Sequence, residues 1–153
     1  MSSTLSPELS ALQTKIDAGT AHIGIYGLGY VGLPLALRFA EVGLKVTGFD
    51  IDSAKVQQLN AGESYIERLQ PAVIQRAQSH GFEATTDFSL SKEVDAIIIC
   101  VPTPLNRYRE PDLSYIIATI ESALPHMRAG QLVSLESTTW PGTTEEGLDH
   151  RLR

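Results

Sequence analysis

Short apolar runs alternate with segments of helical spacing along most of the chain. The runs predict five strands, at residues 21–26, 45–49, 82–85, 95–101 and 131–136. Helices are expected at residues 7–18, 31–42, 53–60, 67–79 and 113–127, with Pro71 able to split the fourth, and a last one begins at Thr143 or Thr144. This alternation predicts βαβ units with right-handed crossovers. The expected fold is therefore α/β, a doubly wound parallel sheet of strand order 3-2-1-4-5 with helices on both faces.

The predicted elements divide the chain at Gly19. Residues 1–19 are expected to form an appended N-terminal helix, capped by Ser6 and ended by Gly19, and residues 20–153 a single sheet domain. With 42% apolar and 20% charged residues, the 153-residue chain has the composition of a folded globular protein. The single cysteine, Cys100, excludes an intrachain disulfide, and the scattered histidines predict no metal site.

Charge and hydropathy narrow the range of partners. The net charge is −6 and the Lys and Arg residues form no cluster, so nucleic acid is not an expected partner. The longest strongly apolar run, residues 96–101, is far too short to span a bilayer. The first ten residues, MSSTLSPELS, lack the basic and apolar regions of a signal peptide. We therefore expect no membrane partner and a cytoplasmic location.

The strongest motif is the glycine-rich run GLGYVG, which follows the first strand and opens the second helix. Gly27 allows a tight turn, Gly29 lets a pyrophosphate approach the backbone, and Gly32 allows the helix to pack closely on the sheet. The helix N-terminus offers free N–H groups and a partial positive charge to a phosphate. The run predicts a dinucleotide site between the first and fourth strands, where the strand order reverses.

A carboxylate at the end of the second strand bears on which dinucleotide binds. Asp50 lies 18 positions after Gly32 and can accept hydrogen bonds from the hydroxyls of an adenosine ribose. Because a carboxylate there would repel a 2′-phosphate, it favours NAD over NADP as the cofactor. The alternative is that the glycine run is merely a tight turn and Asp50 a helix cap.

Several further motifs occur in a fixed order along the chain: GLGYVGLPLA (27–36), GFDID (48–52), GESYIE (62–67), CVPTPL (100–105), EPDLSYI (110–116) and LESTTWPGTTEE (135–146). Together they resemble the UDP-glucose/GDP-mannose dehydrogenase family over residues 21–148. The closest resemblance is to its UDP-N-acetylglucosamine 6-dehydrogenase branch. Trp140 stands where that branch commonly has Tyr, and both are large aromatic side chains with one polar group.

The resemblance implies an activity and roles for particular residues. The family oxidises the primary alcohol of a UDP-sugar to a carboxylate in two NAD-dependent steps, through a thiohemiacetal and a thioester on a cysteine. Tyr30 and Val31 would lie beside the pyrophosphate, and Thr103 would contact the cofactor. Thr138 would lie near the nicotinamide, both as a cofactor-binding residue and as the catalytic candidate that helps to position the hydrolytic water. Lys55 would reach the adenosine end, although a solvated helix lysine is an equal alternative.

The resemblance also implies that the nucleophilic cysteine, the sugar-binding part and the sixth strand come later than these residues. Cys100 ends a buried apolar strand without a neighbouring His or Lys, so we expect it to be inert. The chain is therefore expected to bind NAD without turning over a UDP-sugar, and the full-length enzyme to be a homo-oligomer. Two alternatives stay open: another two-domain NAD-dependent dehydrogenase, and a regulatory nucleotide-sensing module.

Overall fold

The computed structural model describes residues 6–152, and its centre is a parallel sheet of five strands. The strands are β1 (His22–Tyr26), β2 (Lys45–Phe49), β3 (Phe82–Thr85), β4 (Ala96–Ile99) and β5 (Leu132–Leu135). Their order is β3-β2-β1-β4-β5, and every pair is parallel. The predicted fold class and strand order are confirmed. Residues 1–5 and 153 of the predicted ranges lie outside the described residues.

Helices connect the strands, but two of them are shorter than predicted. The helices are α1 (Pro7–Asp17), α2 (Gly32–Glu41), α3 (Ser53–Asn60), α4 (Pro71–Ser79) and α5 (Ser114–Ala123). The fourth begins at Pro71 rather than at residue 67, because proline holds the preceding residue, Gln70, in an extended conformation. The fifth ends at Ala123, and the proline-containing 3₁₀ turn Leu124–His126 follows.

Two further helical segments are not regular α-helices along their whole length. A 3₁₀ helix, Phe88–Glu93, which the hydrophobic pattern did not predict, joins β3 to β4. The last predicted helix is a π-helix, Thr144–Asp149, that continues into the α-helical turn His150–Leu152. Within residues 6–152, no helix combines the length and the apolarity needed to cross a membrane.

The central strands β1 and β4 are buried on both faces, as a doubly wound sheet requires. All five residues of β1 are buried. On one face the sheet packs against α2, α3 and α4 through a cluster that includes Leu33, Leu59 and Ile74. On the other face α5 contributes Ile116 and Ile120. Because all the strands are parallel, the carboxyl ends of β1, β2, β4 and β5 lie at the same end of the sheet.

Helix α1 is attached at the opposite edge of the sheet, near the amino ends of the central strands. Ser6 caps it, since its Oγ accepts a hydrogen bond of 3.3 Å from the Leu9 N–H. Its Leu12 is buried. Lys15 Nζ lies 2.7 Å from Asp95 Oδ1, which Arg128 Nη2 also approaches at 2.8 Å. A buried carboxylate thus joins the appended helix to the sheet.

Candidate functional site

The glycine-rich turn after β1 has a backbone path that only glycine accommodates at two positions. Gly27 has a φ of +94°, and a Cβ there would lie 2.9 Å from backbone atoms of Cys100 and Val101. A Cβ on Gly32 would lie 1.7 Å from the Gly27 carbonyl oxygen. Gly27 and Gly32 therefore permit the close contact of turn, helix and β4, as the sequence predicted for both.

The middle glycine has a different environment, because the space beside it is empty. A Cβ on Gly29 would meet no atom within 4 Å. The next two residues, Tyr30 and Val31, are 80% and 60% exposed, and no side chain caps the α2 N-terminus that they precede. The uncapped helix end, with open space beside Gly29, is suited to an anionic group such as a pyrophosphate.

Asp50 follows β2 and turns its carboxylate back toward the glycine-rich turn. Its Oδ2 accepts a hydrogen bond of 2.9 Å from the Leu28 N–H, and its Oδ1 accepts one of 2.9 Å from the Asp52 N–H. Each oxygen keeps a further lone pair for a ligand hydroxyl. The helix cap of α3 is Asp52, whose Oδ1 accepts from the Ala54 N–H at 3.0 Å, so the alternative of Asp50 as a cap is wrong.

The loops that follow β4 and β5 are joined by hydroxyl hydrogen bonds. Thr103 Oγ1 donates to the Thr138 carbonyl at 2.7 Å, and Ser137 Oγ donates to the Val101 carbonyl at 2.7 Å. Thr103 thus has a structural bond that the sequence did not predict, while its oxygen can still accept. The Thr138 side chain is exposed. The two loops therefore present both threonines from one connected surface.

A cleft of about 650 Å³ lies across the carboxyl ends of the strands and brings these residues together. Eight of the nine predicted site residues line it: Gly27, Gly29, Tyr30, Val31, Asp50, Lys55, Thr103 and Thr138. The ninth, Gly32, lies beneath the turn, where it allows the close packing described above. The cleft is at the predicted point where the strand order reverses.

The sequence motifs did not predict one wall of the cleft. It is formed by α5, which contributes Tyr115, Ala118, Thr119 and Ser122. Their spacing of three, four and seven residues places them on one face of the helix, beside the face that buries Ile116 and Ile120. The spacing of these four residues in the sequence could therefore have indicated a second face of this amphipathic helix.

Cys100 also borders the cleft, but its thiol is not activated. Cys100 is only 8% exposed. Burial, together with the Glu136 carboxylate, raises the pKa of the thiol to about 11. At neutral pH the sulfur is therefore protonated and a poor nucleophile. Within the described part of the chain, no group of three His, Cys, Asp or Glu residues could hold a metal ion.

The sheet, its glycine-rich turn and the carboxylate after β2 define a dinucleotide-binding domain of the Rossmann type. The chain belongs to the UDP-glucose/GDP-mannose dehydrogenase family, since the model of that family's NAD binding domain matches residues 21–153. NAD is therefore its cofactor. The empty space beside Gly29, the uncapped α2 and the open lone pairs of Asp50 fit that group.

Individual relatives agree with this assignment. The chain is similar to the UDP-N-acetyl-D-mannosamine dehydrogenase of Salmonella typhi, with 40% identity over 81% of this chain and 29% of that protein. It is 37% identical to the UDP-N-acetyl-D-glucosamine 6-dehydrogenase of the same organism, over 81% of this chain and 28% of that protein. The chain therefore spans less than a third of the curated relatives it matches.

A solved structure has the same fold. The UDP-N-acetyl-mannosamine dehydrogenase of Staphylococcus aureus superimposes with a TM-score of 0.79 and 32% identity, covering 86% of this chain and 32% of that one.

Proposed function

We propose that this chain is the NAD-binding part of an enzyme that oxidises the C6 alcohol of a UDP-N-acetylhexosamine to a carboxylate. The substrate class is supported by the relatives, which are named for UDP-N-acetyl-D-mannosamine and UDP-N-acetyl-D-glucosamine. The observation that carries the proposal is the cleft, in which Asp50, the turn around Gly29 and Thr138 face a common space.

The proposed reaction has a fixed balance. One alcohol, one water and two NAD⁺ give one carboxylate, two NADH and three protons, so each of two steps removes a hydride from the same carbon. When bound, NAD supplies the hydride acceptor. The chain's own contribution is to bind and orient: N–H groups at the start of α2 hold the pyrophosphate, and Asp50 holds the ribose hydroxyls.

Thr138 has the more specific proposed role of orienting the water that is consumed. Its hydroxyl is exposed in the cleft, and its carbonyl is fixed by Thr103. In the full-length enzyme, Thr138→Val is expected to lower kcat, since the variant keeps the shape but cannot hydrogen-bond to water. NAD affinity of the 153-residue chain should change little. An unchanged kcat would show that the Thr138 hydroxyl does not orient the water.

The cofactor site is tested by calorimetric titration with NAD and NADP. The chain should bind NAD and prefer it to NADP. Asp50→Asn should weaken NAD binding by about tenfold or more, because hydrogen bonds to a charged group contribute about 1.5–3 kcal/mol. It should also narrow the preference over NADP, because the charge that repels the 2′-phosphate is gone. Asp17→Asn, on the distant α1, is the matched control, and no NAD binding by the unaltered chain would overturn the site.

Oxidation is tested by following NADH absorbance with UDP-N-acetylglucosamine, UDP-N-acetylmannosamine and GDP-mannose. We expect no NADH from the 153-residue chain, because its single cysteine is buried and protonated. The full-length gene product should reduce two NAD per UDP-sugar. Turnover by this chain alone would contradict the first expectation, and no turnover by the full-length protein would favour a regulatory module.

The full-length enzyme is also proposed to be a homo-oligomer, as the family resemblance implies. Light scattering on the purified full-length protein measures its mass directly. A mass of one protomer at micromolar concentration would contradict this part of the proposal.

A further inference from the structure

Tyr65, in the loop between α3 and α4, contacts two parts of the cofactor site without lining the cleft itself. Its hydroxyl donates a hydrogen bond to the Leu28 carbonyl, inside the glycine-rich turn. Its ring lies below the Lys55 ammonium, with Nζ 5.6 Å from the ring centroid. The side chain is half-buried. A single tyrosine thus joins the turn to α3.

The hydrogen bond constrains a peptide unit that matters for anion binding. Asp50 accepts a hydrogen bond from the Leu28 N–H, and Tyr65 donates one to the Leu28 carbonyl. The Leu28 side chain is fully buried. In a trans peptide the carbonyl and the following N–H point in opposite directions. Because Tyr65 holds the Leu28 carbonyl from outside the cleft, the Gly29 N–H points away from Tyr65.

The Tyr65 hydroxyl remains a donor throughout the physiological pH range. Burial raises the pKa of the phenol, and the nearby carboxylates of Asp50 and Asp52 raise it further. The phenol therefore keeps its proton, and the bond to the carbonyl persists. A carbonyl released from this bond would be free to rotate toward the anion site, where its partial negative charge would repel a phosphate.

The ring contact acts on a different residue. Lys55 lines the cleft on the same side as Asp50, and its flexible side chain carries a large rotamer entropy. A cation held over an aromatic face loses part of that freedom before a ligand binds. The Tyr65 ring therefore keeps the ammonium near the end of the cleft where Asp50 offers its carboxylate.

We propose that Tyr65 is a positioning residue for NAD: its hydroxyl sets the Gly29 N–H and its ring sets the Lys55 ammonium. The proposal rests on the placement of the pyrophosphate over the glycine-rich turn. The contributions of the hydroxyl and of the ring can be tested separately. Tyr65→Phe removes only the hydroxyl, and Tyr65→Leu removes the hydroxyl and the ring.

The test is NAD affinity by calorimetry in a set of variants that combines the two Tyr65 changes with Lys55→Met. Tyr65→Phe should weaken NAD binding by about two- to tenfold, as expected for one neutral hydrogen bond. Lys55→Met should weaken binding by a further factor of about two to five in the Phe background, where the ring is kept. In the Leu background it should add almost nothing. An equal Lys55 effect in both backgrounds would overturn the role of the ring.

Hydrogen exchange of the backbone amides gives a readout of the hydroxyl that a purely structural role would not move. In the free chain, Tyr65→Phe should speed exchange at Leu28, whose N–H is hydrogen-bonded to Asp50 in the same turn, while leaving β1 and β4 protected. Tyr108→Leu is the matched control, because Tyr108 also carries a cation, Arg107 at 4.6 Å, but does not line the cleft. Tyr108→Leu should change neither exchange at Leu28 nor NAD affinity.

Two results separate this inference from the cofactor site itself. If Tyr65→Phe lowers only the melting temperature and leaves NAD affinity unchanged, the positioning role is overturned. If Gly29→Val, which fills the open space beside the turn, leaves NAD affinity unchanged, the placement of the pyrophosphate is wrong and the inference falls with it. If Gly29→Val loses NAD binding while Tyr65→Phe keeps the NAD affinity of the unaltered chain, only the role of Tyr65 is overturned.

Discussion

At the scale of single residues, the three glycines of the turn are required for different reasons, two for packing and one for ligand binding. Gly27 and Gly32 have neighbouring backbone where a Cβ would be, whereas Gly29 has none within 4 Å. The motif alone predicts that all three matter, but it does not say which variants still fold. The structure supplies that distinction, because it gives the distance from each missing Cβ to its neighbours.

The distinction leads to opposite outcomes for two substitutions. Gly29→Val should leave the melting temperature close to that of the unaltered chain but weaken NAD binding by about tenfold or more. Its side chain would cover N–H groups whose hydrogen bonds to an anion contribute about 1.5–3 kcal/mol. Gly32→Ala should lower the melting temperature, since its Cβ would lie 1.7 Å from a carbonyl oxygen. Thermal melting and calorimetry together check both, and a destabilised Gly29→Val would contradict the open space.

Tyr65 was missed for a physical reason that does not apply to Asp50. Asp50 is predictable from its place after β2, because the strand end fixes where it lies. Tyr65 is not, since it stands in a loop and contacts Leu28 across 37 positions of sequence. Periodicity and spacing report neighbours along the chain, whereas this contact depends on how two loops meet in space.

At the scale of elements, the strands were predictable because short runs containing apolar residues alternate with segments of helical spacing, as in βαβ units. The helix ends were not, and proline accounts for both corrections. Pro71 delays α4, and Pro125 falls in the 3₁₀ turn that ends α5. The 3₁₀ helix Phe88–Glu93 was missed because a short helix of this kind has no extended apolar period.

The attachment of α1 is an element-scale property that depends on Asp95. Burial raises the pKa of this carboxyl, but hydrogen bonds from Lys15, the His22 N–H and Arg128 outweigh that effect and lower it overall. Asp95→Asn should therefore reduce the free energy of unfolding by about 1–3 kcal/mol. Lys15→Met should cost less, about 1 kcal/mol or below, because the Lys15 side chain is 48% exposed to screening water.

Urea unfolding at neutral pH measures both changes. Arg38→Met is a matched control, because Arg38 makes an exposed ion pair with Glu41 on α2 and should change stability very little. Because the folded pKa of Asp95 is lowered, its contribution to stability is present above the ordinary carboxyl pKa of 3.8 and is lost as pH falls through the folded value. Equal effects of Lys15→Met and Arg38→Met would show that α1 is not held by this carboxylate.

At the scale of the whole molecule, the pH dependence of stability should contain a second, separate window set by His22. This buried imidazole joins β1 to β2, with Nε2 2.8 Å from the Thr47 hydroxyl and Nδ1 3.1 Å from the Glu93 carbonyl. A carbonyl can only accept, so Nδ1 carries the proton of the neutral ring and Nε2 accepts from Thr47. Burial first, and then the positive charge of Lys45, lower the pKa of the imidazole.

The sign of the pH effect follows from this lowered pKa. The unfolded chain takes up a proton at His22 as pH falls below about 6.5, while the folded chain resists, so protons favour unfolding. The contribution of His22 to the free energy of unfolding should therefore be fully present above pH 6.5 and decrease below it. This decrease begins at a higher pH than the one at which Asp95 becomes protonated. Urea unfolding between pH 8 and pH 5 measures the decline. In His22→Gln, which keeps a polar side chain without a titrating ring, the curve should be lower but flatter across that interval. An equally steep curve in this variant would assign the decline to another group.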